Sequence, residues 1–244
     1  MGDPSEFPRI LDESDPRLRG LLDALADPDP AIRSATAWTL GKGAVGLPSA
    51  VAALTLALED PDRDVRRNAA AALGDMGEPA AGAAPDLGEA LSDPDASVRS
   101  AAADALGEMG PAAAAALPAL EAAAGDPEAS AELHVRFALA AVGGNAAPHL
   151  PALVAGLTAS DAAFRAEAAW CLERIGAAAA PAIPALIRAL GDGDWFVRLS
   201  AAEALGEAGP EARRAATGLR ALLKDPNLSV RETAAEAIAC IGRH

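Results

Sequence analysis

The chain has 244 residues, with 20 Lys and Arg against 35 Asp and Glu, a formal charge of −15. Hydrophobic residues make up 51 % but aromatics only 3 %, and 67 alanines, about 27 % of the chain, fill the gap. This excludes an all-β fold, which wants β-branched and aromatic residues, and disfavours nucleic acid, which needs a basic footprint.

Residues 1–15 are acidic and contain Pro4 and Pro8. They lack the basic and apolar regions of a signal peptide. The expectation is a flexible acidic leader, with Phe7, Ile10 and Leu11 covering the first of the repeats that begin at residue 16. No apolar run reaches the ~18–20 residues of a membrane span, so no membrane is expected as a partner. Cys171 and Cys240 are too few for a disulfide framework, which suggests a reducing, cytoplasmic setting.

From residue 16 a 33-residue period takes over. DPDPAIRSATAWTL returns as DPDRDVRRNAAAAL, DPDASVRSAAADAL and DPNLSVRETAAEAI. One register holds Ile32, Val65, Val98, Ala131, Phe164, Val197 and Val230; eight residues on stand Leu40, Leu73, Leu106, Leu139, Leu172, Leu205 and Ile238. Leu21, Leu54, Leu87, Leu120, Leu153, Leu186 and Leu219 hold another register. Periods of 20–50 residues mean stacked supersecondary units. Each unit reads as two helices. The first carries P-x-L-x-x-x-L, as in Pro184–Leu190. A D-P-D turn follows, whose second Asp N-caps the next helix. The second helix runs V-R-x-x-A-A-x-A-L and ends at a glycine expected to form a left-handed C-cap, as at Gly77, Gly110, Gly176, Gly209 and Gly242. Ala suits such closely stacked helices because it is the best helix former and loses no side-chain entropy.

The pattern L-x-x-L-x-D-P-D-x-x-V-R-x-x-A-A-x-A-L-G-x-x-G resembles HEAT repeats, specifically the short bacterial HEAT-like repeats of the phycobilisome (bilin) lyase type. The resemblance implies an all-α fold: one right-handed α-solenoid of seven helix pairs over residues 16–244. It also implies that the D-P-D Asp and the Arg after the Val form a ladder between neighbouring repeats. Glu132 stands where the fourth unit should have Arg, and Ala159 where the fifth should have Asp. The ladder should break there.

In such solenoids the helix after the D-P-D turn lines the concave face. Offsets of +2, +3, +6 and +10 from the Val register should point inward. These columns hold eight acids against three bases, a net −5. They include Asp104, Glu167, Glu203 and Glu207, with Arg174 among the bases. Most of the scarce aromatics fall in units four to six. Phe137 and Trp170 occupy the +6 column there, with His134 and Glu167 beside them on adjacent layers. Trp195 and Phe196 lie at a turn. Trp38 occupies the same +6 column in unit one, roughly 35–40 Å from Trp170 at ordinary helix spacing. An exposed Trp is a typical interface anchor, so Trp38, Phe137, Trp170 and Trp195 join these polar residues as binding candidates.

No metal or other cofactor is expected. Only His134, His149 and His244 exist, and a metal site needs several converging ligands. The repeated His-Glu pairs of the HEAT-fold di-iron hydroxylases are absent. No phosphate loop, dinucleotide fingerprint or nucleophile elbow occurs at a strand–helix junction. Alkylpurine DNA glycosylases, also built of HEAT-like repeats, need a basic concave face. The leading expectation is a non-catalytic scaffold that holds a protein or peptide partner, basic in character, in an acidic groove. The alternative is a lyase- or isomerase-like enzyme with a small hydrophobic ligand, in which His134 and Glu167 do acid–base work. A homodimer through an uncapped C-terminal repeat is a further option.

Overall fold

The computed structural model describes residues 11–242. Phe7, Ile10 and His244 lie outside the described residues. Leu11 is buried and its backbone N–H donates to Gly43 O at 2.9 Å, so it does cover the first repeat.

The described residues form seven helix pairs. The first members are α1 (Pro16–Ala24), α3 (Pro48–Ala57), α5 (Ala84–Ala90), α7 (Leu117–Ala123), α9 (Leu150–Gly156), α11 (Ile183–Ala189) and α13 (Ala216–Leu222). The second, inner members are α2 (Pro30–Gly43), α4 (Arg63–Met76), α6 (Ala96–Met109), α8 (Ala129–Gly143), α10 (Ala162–Ile175), α12 (Trp195–Glu207) and α14 (Leu228–Ile241). Inner helices start where the D-P-D reading places them. The first Asp accepts the N–H of the second, as Asp60 does from Asp62 at 2.8 Å, and the second caps the helix, as Asp62 does for Asp64 at 2.9 Å. Asp29, Asp95, Asp161, Asp194 and Asn227 cap their helices likewise.

The helix ends differ from expectation. Gly77 has φ 63° and ψ −139°, a mirror-image extended geometry rather than a left-handed helical one. Only glycine enters that region without strain. It turns the chain into a short 3-10 segment, Glu78–Ala83, before α5 begins. Similar segments precede α7, α11 and α13. Gly242 has φ −94° and is no left-handed cap. The reversal also disposes of an apparent span. Ala162–Ala189 is long and apolar enough to cross a membrane by length and composition. Positive φ at Gly176 divides it into α10, a 3-10 segment and α11.

The helices group into two compact units, and the division falls between Ala131 and Glu132, inside α8. In the first unit α2 packs on α4 and α4 on α6; in the second α10 packs on α12 and α12 on α14. This stacking of helix pairs is the α-solenoid arrangement. Val65, Val98, Val197 and Val230 are fully buried, as are Leu54, Leu87, Leu153, Leu186 and Leu219. Ile32 departs from its column and is 43 % exposed. Among the described residues α2 has a following inner helix but no preceding one. Glycines permit the closest approaches in the first unit. A Cβ on Gly41 would lie 2.8 Å from Ala72 Cα, and one on Gly74 2.8 Å from Ala105 Cα.

Candidate binding surfaces

The Arg and Asp of the repeat are occupied by structure. Arg33 donates from Nε and Nη2 to Asp60 at 2.7 and 2.8 Å, and from Nη1 to Asp27 O at 2.8 Å. One guanidinium thus ties its own turn to the next repeat's turn. Arg66–Asp93, Arg99–Asp126, Arg165–Asp192 and Arg198–Asp225 repeat the rung with Nε–O distances of 2.6–2.8 Å. Hydrogen bonds from these arginines hold the carboxyls of Asp60, Asp126, Asp192 and Asp225 below the usual 3.8. The rung is replaced where the sequence departs. Glu132 accepts instead from Arg136 Nε at 2.6 Å on its own helix. Arg165 still reaches Ala159 O at 2.9 Å, because that half of the rung needs only backbone.

Residues 33 apart on successive inner helices touch, so the columns are physical. In the first unit Lys42 pairs with Asp75 at 2.8 Å in the +10 column. Asn68 Nδ2 donates to Ser34 Oγ at 2.8 Å nearby. Arg67 pairs with Asp64 at 3.0 Å. Asp104 is half-buried on α6. Trp38 is 57 % exposed. It is shared by two cavities, one of about 580 Å3 reaching Asp62, Asp64 and Arg67, the other of about 480 Å3 reaching Leu11, Leu21 and Lys42.

In the second unit His134 Nε2 lies 2.8 Å from Glu167 Oε1, within hydrogen-bond distance. The Trp170 ring sits 5.6 Å from the His134 ring and meets Phe137 edge-on at 5.8 Å. The structure thus gathers four of the expected residues. It also corrects one of them: Phe137 does not face a groove but is 1 % exposed. Its helix α8 buries Leu133, Val135, Ala138, Leu139, Ala140 and Val142 as well, and its polar residues Glu132 and Arg136 pair with each other elsewhere on the helix, so the ring falls within the apolar part of α8. Trp170 is half-buried and Arg174 exposed. Trp195 and Phe196 are 45 % and 49 % exposed and pack edge-on at 5.5 Å at the start of α12, away from the column that holds Trp170.

Glu203 on α12 follows Trp170 in the +6 column, and Glu236 on α14 follows Glu203. Burial, and then the charge of Glu236, raise the Glu203 carboxyl above its usual 4.5. Glu207 and Glu236 are exposed. The side chains of Glu203, Glu207, Glu232 and Glu236 have no hydrogen bond or ion pair with any described residue. Among the described residues no group of three His, Cys, Asp or Glu could hold a metal ion. Cys171 is buried and Cys240 half-buried.

The sequence reading set Trp38 in the +6 column, Lys42 in the +10 column and Leu11 over the first repeat, but did not foresee that they meet Arg17 around one cavity. Gly20 was the available signal: a glycine inside a helix costs about 1 kcal/mol against Ala and usually has a packing or functional reason.

The HEAT repeats family model matches residues 18–84, 81–140 and 150–239, and the chain belongs to that family. No curated protein matches it. Among solved structures, it is similar to the complex of CpcE and CpcF of phycocyanin lyase from Nostoc sp. PCC7120, at 25 % identity and a TM-score of 0.63. That likeness covers 98 % of this chain and 100 % of the other. An engineered protein matches at 22 % identity over 92 % of this chain and 96 % of its own, with a TM-score of 0.49. Human deoxyhypusine hydroxylase matches at 24 % over 93 % and 96 %, with a TM-score of 0.41. The repeats are thus HEAT-like and similar to those of the bilin lyase, as the motif implied.

Proposed function

We propose that this chain is a binding scaffold that docks a basic protein or peptide segment on the inner helices of its second unit. The observation that carries this reading is the Glu203–Glu236 pair. Two carboxylates share a column without a protein cation, and one of them has a raised pKa because burial and its neighbour both oppose its charge. A partner's Lys or Arg would relieve that repulsion, and half-buried Trp170 supplies an apolar contact in the same column. Electrostatic complementarity of this kind chiefly speeds association. The likeness to a lyase that is itself a complex of two chains supports a protein partner.

The test is titration with a Lys/Arg-rich peptide and with its Asp/Glu counterpart across a salt series. Binding of the basic peptide alone, weakened by salt, by Glu203→Lys and by Trp170→Ala, is the expected result. Binding indifferent to salt and to both substitutions would sink the reading. Pull-down with detection of both proteins and small molecules then identifies the natural partner.

The 2.8 Å His134–Glu167 contact favours a second reading, an acid–base pair acting on a small hydrophobic ligand beside Trp170. It requires that such a ligand bind at these residues. His134→Gln and Glu167→Gln must then abolish turnover of that ligand while leaving binding of the basic peptide intact.

A further inference from the structure

The smaller Trp38 cavity differs from the rest of the molecule. In a chain of net charge −15, the charged residues that line it, among the described residues, are the cations Arg17 and Lys42. Leu11, Leu21 and the exposed Trp38 ring supply apolar walls between α1 and the last turns of α2. Its volume of about 480 Å3 falls within the ~300–1,000 Å3 usual for ligand sites. We propose that this cavity binds an amphipathic monocarboxylate, with the apolar body against Trp38, Leu11 and Leu21 and the carboxylate between Arg17 and Lys42.

The donors for such a ligand are present. Arg17 uses Nε and Nη2 on Asp15, at distances down to 2.6 Å, which leaves Nη1 unused. Lys42 Nζ makes one ion pair, with Asp75, from three available donors. Lys42 and Asp75 are 49 % and 39 % exposed, and such exposed pairs contribute little, so Lys42 can turn toward a ligand at small cost, while Arg17 keeps its pair with Asp15 and offers Nη1 from a side chain that is 58 % exposed. The apolar walls disfavour a bare inorganic anion, and the two cations disfavour a basic side chain. The site is therefore independent of the acidic strip in the second unit. Gly20 opens the cavity: a Cβ built there meets no atom within 4 Å.

The experiment titrates the full chain with decanoate and 2-naphthoate, and with decanol, 2-naphthol and decyltrimethylammonium as neutral and cationic counterparts. Calorimetry and Trp fluorescence give the readout. One-to-one binding of the carboxylates, at least tenfold tighter than of their counterparts, is the expected result. Arg17→Gln and Lys42→Gln should each weaken it roughly tenfold, the loss of about one charge-assisted contact. Gly20→Leu should fill the cavity and abolish binding with helix content unchanged. Trp38→Ala repeats that test without touching α1. Glu203→Gln should leave carboxylate binding unaltered. Equal binding of the ammonium or the alcohols, wild-type binding by both Gly20→Leu and Trp38→Ala, or no carboxylate binding at all would each overturn the proposal.

Discussion

The two units are built from one repeat but use its variable positions in opposite ways. In the first, several acids near the inner face are matched by cations, as in Lys42–Asp75 and Arg67–Asp64, and the aromatic residue stands in solvent beside two cavities. In the second, the +6 rings turn inward, Phe137 fully and Trp170 by half, while Glu203 and Glu236 face each other without a cation. The same column therefore serves as core, ligand wall or electrostatic surface, depending on the helix that carries it. A repeat fixes where a side chain is anchored, whereas its surroundings fix what that side chain does.

The largest expected effect separates the two aromatic roles. Phe137→Ala should cost about 3–5 kcal/mol, the usual range for emptying a packed aromatic site. Trp38→Ala, at an exposed position, should stay within about 0.5 kcal/mol. Urea unfolding of both variants decides this, and equal losses would break the contrast. Packing comes next. Gly41→Ala or Gly74→Ala forces a Cβ to within 2.8 Å of backbone and should cost about 1–3 kcal/mol by overpacking. The second unit's Gly206→Ala, with its nearest atom at 3.3 Å, should lower the melting temperature less. A reversed order would mean that the inner helices do not approach more closely at Gly41 and Gly74 than at Gly206.

Rungs rank third. Arg198→Ala removes a pair whose side chains are 12 % and 5 % exposed and should cost about 1–2 kcal/mol, between the values for surface and buried pairs. Among the described residues the Arg231 side chain bonds the carbonyls of Asp225 and Pro226 and no carboxylate. Arg231→Ala should therefore shift the urea midpoint less than Arg198→Ala does.

The smallest effects are those of pH. The rung aspartates titrate lower in the folded state, so their contribution is complete above 3.8 and is lost as pH falls through the folded values. His149 is lowered from 6.5 by burial and then by Arg136. Its contribution is present above 6.5 and is lost as pH falls through its folded value. Glu203 is raised, so its contribution is present below 4.5 and is lost as pH rises through its folded value. Glu203→Gln should then make the protein slightly more stable at pH 7, while His149→Gln should flatten the loss of stability just below pH 6.5. Melting curves over pH 4–8 check both signs.

The rungs were legible through the resemblance to HEAT repeats, which marks the D-P-D Asp and the Arg after the Val as ladder residues, and their break was legible because Glu132 and Ala159 depart from that pattern. The partners of the inner columns were legible too, since a 33-residue step places His134 beside Glu167. Phe137 was misplaced because a column position assumes that the +6 residue of every inner helix points away from the core, and on α8 that position is buried among apolar neighbours. The carboxylate cavity escaped because Leu11, Arg17 and Lys42 belong to no common column. They meet only where α1 closes on α2.

The sequence by itself determined the repeat, the helix starts at capping Asp residues and the helix ends at the repeat glycines, all of which follow from short-range stereochemistry repeated every 33 residues, while the ladder and its gap came with the resemblance to HEAT repeats. Only the tertiary structure decided which ring is core and which is surface, which acids find a cation, and that two cations gather at an apolar cavity. Burial and pairing depend on neighbours that no periodic pattern specifies.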